Sequence, residues 1–365
     1  VYGDYDVDGV TSTVILYKGL KKIGADVIHY IPDREEEGYG LNKEAIDEIR
    51  NIGVSLILTC DNGIASIDEI KYIKEMKMDI IVLDHHEPRY IELENGEKED
   101  IIPIADAIVN PKQKSCTYPF KALCAGGISY KFIKGFYEYI EVDENFDEYL
   151  TFASIATICD IVDLLDENRI IAKKGLEILN NNKKINKGLY EIIKLNNLEE
   201  KQIDEGDYGF KIGPCINASG RLESALKAVE LFTEEDDKKI KILAEELIQL
   251  NNERKELTSK AVEEILISVE NSDYKNDKVL VIYNPELHES IAGIVAGRIK
   301  EKYYKPTFVI TKSKDGAKGS GRSIPTYNMF EEMLKCQEFF TKFGGHKMAA
   351  GLSLKEENID NFRIS

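Results

Sequence analysis

The sequence predicts an α/β protein in which a mostly parallel sheet domain is joined by a long helix to a smaller α/β domain. Short apolar runs alternate with helical patterns over the first 110 residues, an order typical of parallel sheets covered by helices. An amphipathic stretch with few helix breakers runs from Glu234 to Ser268, and strand and helix patterns alternate again after it. The 365 residues suffice for two domains, each with its own core.

Apolar periodicity and capping residues locate the elements of the larger domain. Val10 to Gly24 has the apolar face of a helix, and Asn42 is a suitable N-cap for a helix that reaches Ile52. We also predict strands over residues 26–31, 54–60 and 79–83 and helices over residues 66–76, 126–139 and 149–165.

The smaller domain shows the same alternation. Residues 279–283 and 307–311 have strand patterns, and residues 291–302 and 328–335 have helical ones. A glycine-rich stretch lies between the second strand and the second helix, and an apolar segment over residues 343–352 completes the domain.

Composition excludes several classes of protein. No run of eighteen apolar residues could span a membrane, and no signal peptide is visible. Six cysteines without a CxxC pair predict small buried apolar residues in a reducing cytoplasm. Residue 1 is a valine directly before a motif-like stretch, so we expect the sequence to be a fragment of a longer protein.

The net charge of −18 argues against a nucleic-acid partner, but the charge is unevenly distributed. Between Arg298 and Lys347, eleven Lys and Arg residues stand against five Asp and Glu residues. A local basic face on an acidic protein can hold a phosphate backbone. A solvated lysine-rich surface is the alternative interpretation of most of these lysines.

Acidic residues and histidines follow three of the predicted strands. They are Asp4, Asp6 and Asp8 after a first short strand at the start of the chain, Asp61 after the strand over 54–60, and Asp84, His85 and His86 after the strand over 79–83. The carboxyl ends of parallel strands face one crevice, so we expect these side chains to converge. The three alternating aspartates would all point the same way in an extended segment.

Cations explain such a cluster best, because uncompensated buried carboxylates are costly. Aspartate and histidine ligands suit octahedral Mn²⁺ or Mg²⁺, and several carboxylates can hold two ions roughly 3.5–4 Å apart. A calcium loop is the alternative, but it needs a bidentate Glu at its twelfth position. That position falls on Ile15 or Tyr17 in the two possible frames.

These motifs resemble those of the DHH phosphoesterase superfamily, and within it the RecJ family of bacterial single-strand-specific 5′→3′ DNA exonucleases. Eight segments carry the resemblance, in order, along nearly the whole chain. They are GDYDVDG (3–9), CDNG (60–63), DHH (84–86), ATICDIV (156–162), GPCINASGRL (213–222), HESIAGIVAGR (288–298), GSGRSIP (319–325) and GGHKMAAG (344–351).

The resemblance implies a role for each matching residue. It implies six metal ligands, with Asp61 bridging two ions: Asp4, Asp6, Asp8, Asp61, His85 and Asp160. His86 would contact the scissile phosphate and Asp84 would orient the histidines, so that His86, Asp61 and Asp84 form the catalytic set. Asp163 is a rival ligand to Asp160. The implied substrate-binding residues are Arg34, Arg221, Arg298, Ser320, Arg322 and His346.

The resemblance implies a DHH catalytic domain over residues 1–230, a connecting helix over 231–273 and a DHH-associated substrate-binding domain over 274–365. It further implies a cytoplasmic, monomeric enzyme that uses two Mn²⁺ or Mg²⁺ ions to hydrolyse single-stranded DNA to 5′-mononucleotides in DNA repair and recombination. A helicase and a single-strand-binding protein are further implied partners, and no membrane partner is expected.

Two alternatives stay open at this point. One is a different DHH phosphodiesterase, which acts on short oligonucleotides or cyclic dinucleotides. The other is a non-catalytic RecJ-like protein that binds DNA within a replication complex. The preferences for Mn²⁺ over Mg²⁺ and for DNA over RNA are likewise open.

Overall fold

A computed structural model of the chain describes residues 1–34, 36–93, 96–314 and 316–365. The chain divides into two compact units, Val1–Asn251 and Asn252–Ser365, and the division falls within one 34-residue helix. Among the described residues, no helix combines the length and the apolar character needed to cross a membrane.

The first unit is rich in helices. Its helices are α1 Val7–Lys22, α2 Lys43–Asn51, α3 Ile67–Glu75, α4 Ala125–Tyr139, α5 Asp147–Cys159, α6 Asp166–Asn181, α7 Lys187–Leu195, α8 Glu205–Asp207, α9 Gly213–Leu222, α10 Leu226–Thr233 and the boundary helix α11 Asp237–Glu270. A π-helical turn, Tyr208–Ile212, precedes α9. The strands are β1 Leu56–Cys60, β2 Asp79–Leu83, β3 Arg89–Glu92, β4 Lys98–Ile101 and β5 Ala107–Val109.

A parallel sheet in the order β1-β2-β5 lies at the centre of this unit, and β3 and β4 form a separate hairpin. Tyr2 extends the parallel pattern through isolated bridges to Thr59 in β1 and to Tyr30. The strand predicted over residues 26–31 is therefore wrong, because a single bridge at Tyr30 is all that forms there.

Two apolar cores cover the two faces of this sheet, as the fold class predicts. Ile57, Ile80 and Val82 belong to the core that contains residues of α2 and α3. Leu58 and Leu83, which alternate with them along the strands, belong to the larger core built with α1, α4 and α5. The period-two alternation of burial therefore places helices on both faces.

Two predicted helix ends shift for local reasons. Helix α1 starts at Val7 rather than Val10, because the Asp6 side chain caps it by accepting a hydrogen bond from the Gly9 amide. Helix α5 ends at Cys159 rather than Leu165, because Ile161 adopts a left-handed backbone with φ of 57°.

The second unit is built on a five-stranded sheet in the order β6-β7-β8-β10-β9. Its strands are β6 Leu280–Tyr283, β7 Thr307–Ser313, β8 Gly316–Arg322, β9 Phe340–His346 and β10 Ala349–Leu354, and its helices are α12 Ala292–Tyr303, α13 Met329–Leu334 and α14 Ile359–Ile364. Strands β6 and β7 pair in parallel and the other neighbours pair antiparallel.

The glycine-rich stretch, for which no strand was predicted, forms β8 because its glycines fit a crowded sheet face. A Cβ on Gly321 would lie 2.5 Å from the sulfur of Met329, and one on Gly319 would lie 2.9 Å from Ile310. Alternation along the strand therefore turns Ser320 and Arg322 to the opposite face.

Candidate metal centre

The aspartates near the start of the chain do not stay extended. Asp4 is buried, Asp6 is the N-cap of α1 and accepts a hydrogen bond from the Gly9 amide at 3.0 Å, and Asp8 lies in the first helical turn. The expectation that one extended segment points all three side chains the same way is wrong. The turn into α1 nevertheless keeps the three carboxylates at one edge of the sheet, where Asp4 and Asp6 approach Asp61.

Asp8 is held by the start of helix α4. Its two carboxylate oxygens accept hydrogen bonds from the amides of Ala125 and Gly126, both at 2.7 Å. The helix N-terminus favours a negative charge at this position. Gly126 permits the approach, since a Cβ there would lie 2.4 Å from the Cβ of Ala156. No motif in the sequence indicates this contribution of α4.

Asp61 ends β1 in a left-handed backbone conformation, with φ of 65°. The neighbouring Asn62 side chain donates hydrogen bonds to the carbonyls of Gly3 and Cys60, both at 3.0 Å. These bonds join the loop after β1 to the first aspartate loop. The turn thereby presents the buried Asp61 carboxylate towards the residues that follow β2.

Asp84 accepts hydrogen bonds from several donors, which identifies it as an orienting group. Its oxygens accept the amides of Ile64 at 2.9 Å, His85 at 2.8 Å and His86 at 3.2 Å, and the His86 ring Nδ1 lies 2.7 Å away. Burial alone would raise its pKa, but these hydrogen bonds, led by that from His86, lower it below the usual value. Asp84 belongs to none of the candidate ligand groups among the described residues.

The His85 ring lies between carboxylates. Its Nε2 is 3.0 Å from Oδ1 of Asp61 and 3.6 Å from Oδ2 of Asp8, and its Nδ1 is 3.8 Å from Oδ2 of Asp160. Burial lowers the pKa of His85 to about 3, so the ring is neutral and its nitrogen lone pair can bind a metal ion.

Among the described residues, three groups of side chains each offer ligand atoms that lie within 4.8 Å of one another. They are Asp4, Asp6 and Asp61; Asp8, His85 and Asp160; and Asp61, His85 and His86. The first two groups together contain all six residues that the resemblance implies as metal ligands. Asp163, the rival to Asp160, has an exposed side chain and belongs to none of these groups.

The electrostatics of this cluster fit divalent cations. Burial, followed by repulsion from neighbouring carboxylates, raises the pKa of Asp4, Asp8 and Asp61 well above the usual value and that of Asp160 to about 7. Oδ1 of Asp4 and Oδ1 of Asp61 are buried without a hydrogen-bond partner. His85 Nε2 approaches Oδ1 of Asp61 to 3.0 Å without hydrogen-bond geometry.

His86 differs from His85 in its exposure. Its side chain is 44% exposed, whereas that of His85 is 10% exposed. Burial lowers the pKa of His86, but the hydrogen bond to Asp84 outweighs this effect and raises it. The Asn110 side chain donates to the His86 carbonyl at 2.8 Å, and Tyr39 contacts the ring. Sequence reasoning missed both Asn110 and Tyr39, since neither belongs to a ligand motif.

Two predicted substrate-binding arginines also belong to the first unit. The Arg34 guanidinium lies 5.0 Å from the ring centre of Tyr5, the residue between Asp4 and Asp6 in the sequence. Burial raises the pKa of Tyr5 to about 12, and the positive charges of Arg34 and Arg221 oppose that rise. Both arginines therefore stand beside the aspartate loop.

The other four predicted substrate residues belong to the second unit. Ser320 and Arg322 lie on β8, and Ala349 in β10 is the register partner of both Arg322 and His346. The Arg322 side chain rests against α12, where a Cβ on Gly293 would lie 2.6 Å from its guanidinium. Arg298, further along α12, is exposed, as is His346.

The sheet and its carboxylate-histidine edge define the DHH class of α/β proteins. The family model described as "DHH family, N-terminal domain" matches residues 1–157, and the "DHHA1 domain" model matches residues 276–364. These segments contain the ligands up to residue 86 and the β8–β10 residues, respectively.

Known proteins refine this class. The "Single-stranded-DNA-specific exonuclease RecJ" of Bacillus subtilis is 42% identical over 368 residues, which cover 100% of this chain and 44% of that protein. A solved structure, "exonuclease RecJ bound to manganese", is 31% identical with a TM-score of 0.82, over 100% of this chain and 87% of that one. The Thermus thermophilus RecJ structure with Mn²⁺ is 28% identical with a TM-score of 0.83, and the match covers 100% of this chain and 50% of that one. A second structure of that protein contains Mg²⁺, with 26% identity, a TM-score of 0.75 and coverage of 100% of this chain and 48% of that one.

The chain therefore belongs to the RecJ family of DHH proteins. It spans 44% of the curated Bacillus subtilis relative and 64% of several others, less than two thirds of their length.

Proposed function

We propose that this chain is the nuclease core of a metal-dependent exonuclease that removes 5′-mononucleotides from single-stranded DNA. The observation that supports this proposal is a buried cluster of two three-residue ligand groups, in which Asp61 of one group lies 3.0 Å from His85 of the other. Relatives named as single-stranded-DNA-specific exonucleases match the chain over its whole length, which favours this substrate over short or cyclic oligonucleotides.

Two divalent ions, Mn²⁺ or Mg²⁺, fit the ligand set. Asp4 and Asp6 would hold one ion, Asp8, His85 and Asp160 would hold the other, and Asp61 would bridge them. Bound ions of this kind supply a water of lowered pKa and stabilise negative charge on a phosphate. One buried carboxylate oxygen on Asp4 and one on Asp61 have no hydrogen-bond partner. They support this assignment, because buried polar atoms normally have a partner and a metal ion would provide one.

The protein side chains supply orientation and proton transfer. Asp84 fixes the His86 ring through Nδ1, which leaves Nε2 directed away from this contact. His86 would then contact the scissile phosphate and protonate the leaving oxygen, for which its raised pKa is suitable. Arginines beside the aspartate loop would neutralise phosphate charge.

The second unit would bind the substrate strand. Ser320 and Arg322 would hold the 5′-terminal phosphate, and Arg298 and His346 would contact further phosphates. In the first unit, Arg34 and Arg221 would also bind phosphates of the strand. The basic surplus between Arg298 and Lys347 supports this role. We accordingly assign residues 1–230 to catalysis, 231–273 to a connecting helix and 274–365 to substrate binding.

The setting of this activity is also a proposal. We infer a cytoplasmic monomer acting in DNA repair and recombination with a helicase and a single-strand-binding protein. The six cysteines are all free thiols, which is compatible with a reducing compartment.

Digestion of single-stranded DNA labelled at one end or the other, with Mn²⁺ present, tests the proposal. We expect release of labelled mononucleotide from the 5′ label at once and from the 3′ label only at the end of digestion. A duplex of the same sequence should resist. Early release from the 3′ label, or cleavage restricted to dinucleotides, would contradict the proposed polarity and substrate.

Binding of single strands without cleavage would instead favour a non-catalytic DNA-binding role. The ligand groups in the first unit argue against that role, because they retain every carboxylate and histidine that the two-ion assignment requires.

A further inference from the structure

The loop before α2 delivers one tyrosine to the metal centre. Tyr39 stands between two glycines with positive φ, Gly38 at 82° and Gly40 at 87°, conformations that glycine adopts without strain. The Gly40 carbonyl accepts a hydrogen bond from the buried Tyr2 hydroxyl at 3.1 Å. The loop is therefore fixed to the core immediately beside Tyr39.

The loop is also fixed on its other side. The Glu37 carboxylate accepts hydrogen bonds from the Tyr30 hydroxyl at 2.7 Å and from the Asn42 side chain at 2.9 Å. Asn42 in turn caps α2 by accepting the Ala45 amide at 2.7 Å. Tyr39 thus projects from a segment that is anchored on both flanks, which preorganises its hydroxyl.

The Tyr39 hydroxyl joins two parts of the metal centre. It donates a hydrogen bond to the Asp61 carbonyl at 2.9 Å and lies 3.1 Å from Nδ1 of His86. The Tyr39 and His86 rings meet edge to face, with centres 5.6 Å apart. Tyr39 is half exposed, so its hydroxyl is engaged at the centre while part of its ring faces solvent.

The hydrogen-bond pattern places a proton on Nδ1 of His86. Oδ1 of Asp84 already accepts the amides of His85 and His86, so it acts as an acceptor and Nδ1 of His86 carries the proton. The single hydroxyl proton of Tyr39 is used on the Asp61 carbonyl, which leaves the Tyr39 oxygen to accept from that same Nδ1–H. Two acceptors therefore hold Nδ1–H on one side of the ring, and Nε2 lies outside both contacts.

The other contact bears on the backbone of Asp61. A left-handed backbone is sparsely populated by non-glycine residues, and its cost must be offset by neighbouring contacts. The Asp61 carbonyl accepts the Tyr39 hydroxyl directly at this position. A residue 22 positions away in the chain thereby helps to fix the carboxylate that stands between the two ligand groups.

We propose that Tyr39 is a positioning residue that uses one hydroxyl group to fix both the Asp61 turn and the His86 ring. The part of this inference that concerns His86 rests on the proposed nuclease function. The part that concerns Asp61 does not, because it predicts an effect on metal binding itself. The role requires the hydroxyl rather than the ring, which separates it from simple stacking of a nucleobase on Tyr39.

The test compares Tyr39→Phe with wild type and with Tyr30→Phe. The control removes a hydroxyl from a residue anchoring the same loop, whose partner is Glu37 rather than the metal centre. Mn²⁺ affinity is measured by calorimetric titration, and kcat and KM are measured on a 5′-phosphorylated single-stranded oligonucleotide. We expect Tyr39→Phe to lower kcat about 10-fold, at the lower end for outer partners of metal ligands. Mn²⁺ affinity should fall less, about 3-fold, because Tyr39 contacts the Asp61 backbone rather than its carboxylate. KM should change less than about 2-fold, since uniform substrate binding is retained.

Three results would overturn the proposal. A Tyr39→Phe variant equal to wild type in kcat and Mn²⁺ affinity would show that the hydroxyl is dispensable. A rise in KM alone would make Tyr39 a substrate contact. Equal losses in Tyr39→Phe and Tyr30→Phe would indicate a structural role of the loop. An inactive wild type would count against the proposed function, and the Mn²⁺ titration would then decide the Tyr39 inference alone.

Discussion

The metal centre and the β8–β10–β9 surface use opposite physical means to present charged groups. In the first, Asp4, Asp8 and Asp61 are buried at 4%, 1% and 3% exposure, and two of their oxygens lack hydrogen-bond partners. In the second, His346 is exposed, and glycines leave room around Arg322. Burial makes the first site costly without a ligand, so its function can be argued from electrostatics. The second site carries no such cost, and its assignment depends more on resemblance.

The largest expected effect is at Asp61, which belongs to one ligand group and lies 3.0 Å from His85 of the other. Asp61→Asn keeps the shape but removes the charge, and we expect kcat with Mn²⁺ to fall by about 10³-fold, a loss comparable to that of a major electrostatic contact. Steady-state kinetics and Mn²⁺ titration would measure it. Asp163→Asn is the matched control, since Asp163 is exposed and belongs to no ligand group among the described residues. Equal losses of kcat in the two variants would contradict the prediction that the buried Asp61 matters more for catalysis than the exposed Asp163.

Asp84 should show a smaller effect, because it acts through the histidines. Asp84→Asn would replace one acceptor oxygen by an NH2 group, which cannot accept from the backbone amides of Ile64, His85 and His86. The His86 ring would therefore lose its fixed orientation. We expect kcat to fall about 10- to 100-fold, as for other outer partners of metal ligands. A pH–rate profile should also lose the limb that reports His86. An unchanged profile would mean that Asp84 does not orient the catalytic ring.

The second region should respond in KM rather than in kcat. We expect Arg322→Ala to raise KM for a 5′-phosphorylated strand about 10-fold, because one charged hydrogen bond is worth roughly 1.5–3 kcal/mol. Lys318→Ala is the control on the same strand face, since Lys318 pairs with Glu289 at 2.9 Å. The effect of Arg322→Ala should disappear on strands with a 5′-hydroxyl. An equal loss on both strands would argue against recognition of the terminal phosphate.

The smallest expected effect is the pH dependence of stability without metal. Asp160 has a usual pKa of 3.8 that rises to about 7 in the folded chain, through burial first and then Asp6. Between these values the folded form binds more protons than the unfolded form, so the free energy of unfolding falls as the pH rises.

Thermal unfolding in a chelator should therefore give a Tm a few degrees lower at about pH 8 than at about pH 5, while Mn²⁺ should flatten this dependence because it replaces the protons. A Tm that rises with pH in the chelator would contradict the raised carboxylate pKa values.

Sequence reasoning succeeded where the side-chain position follows from strand direction. Asp61, His85 and His86 follow parallel neighbours β1 and β2, so their meeting at one sheet edge could be predicted from the order of elements. Arg34 and Tyr39 lie in a loop, and nothing in the local pattern shows that Tyr39 reaches the Asp61 carbonyl.

It failed where tertiary packing decides the backbone. Strand β8 contains three glycines, Gly316, Gly319 and Gly321. Intrinsic strand preference disfavours such a composition. Packing against Phe308 and Met329 requires the small residue at position 321 instead. Likewise, the path of Asp8 depends on α4, which follows it by more than a hundred residues.

The contact between Gly293 and Arg322 has a consequence for how related sequences vary. A Cβ at position 293 would meet the mobile end of the Arg322 side chain, so an alanine there would displace the guanidinium at little cost to folding. Selection on stability would tolerate that change, whereas selection on phosphate recognition would not. Sequences that keep arginine at position 322 should therefore keep glycine at position 293. Where the arginine is replaced, residues larger than glycine should also occur at position 293.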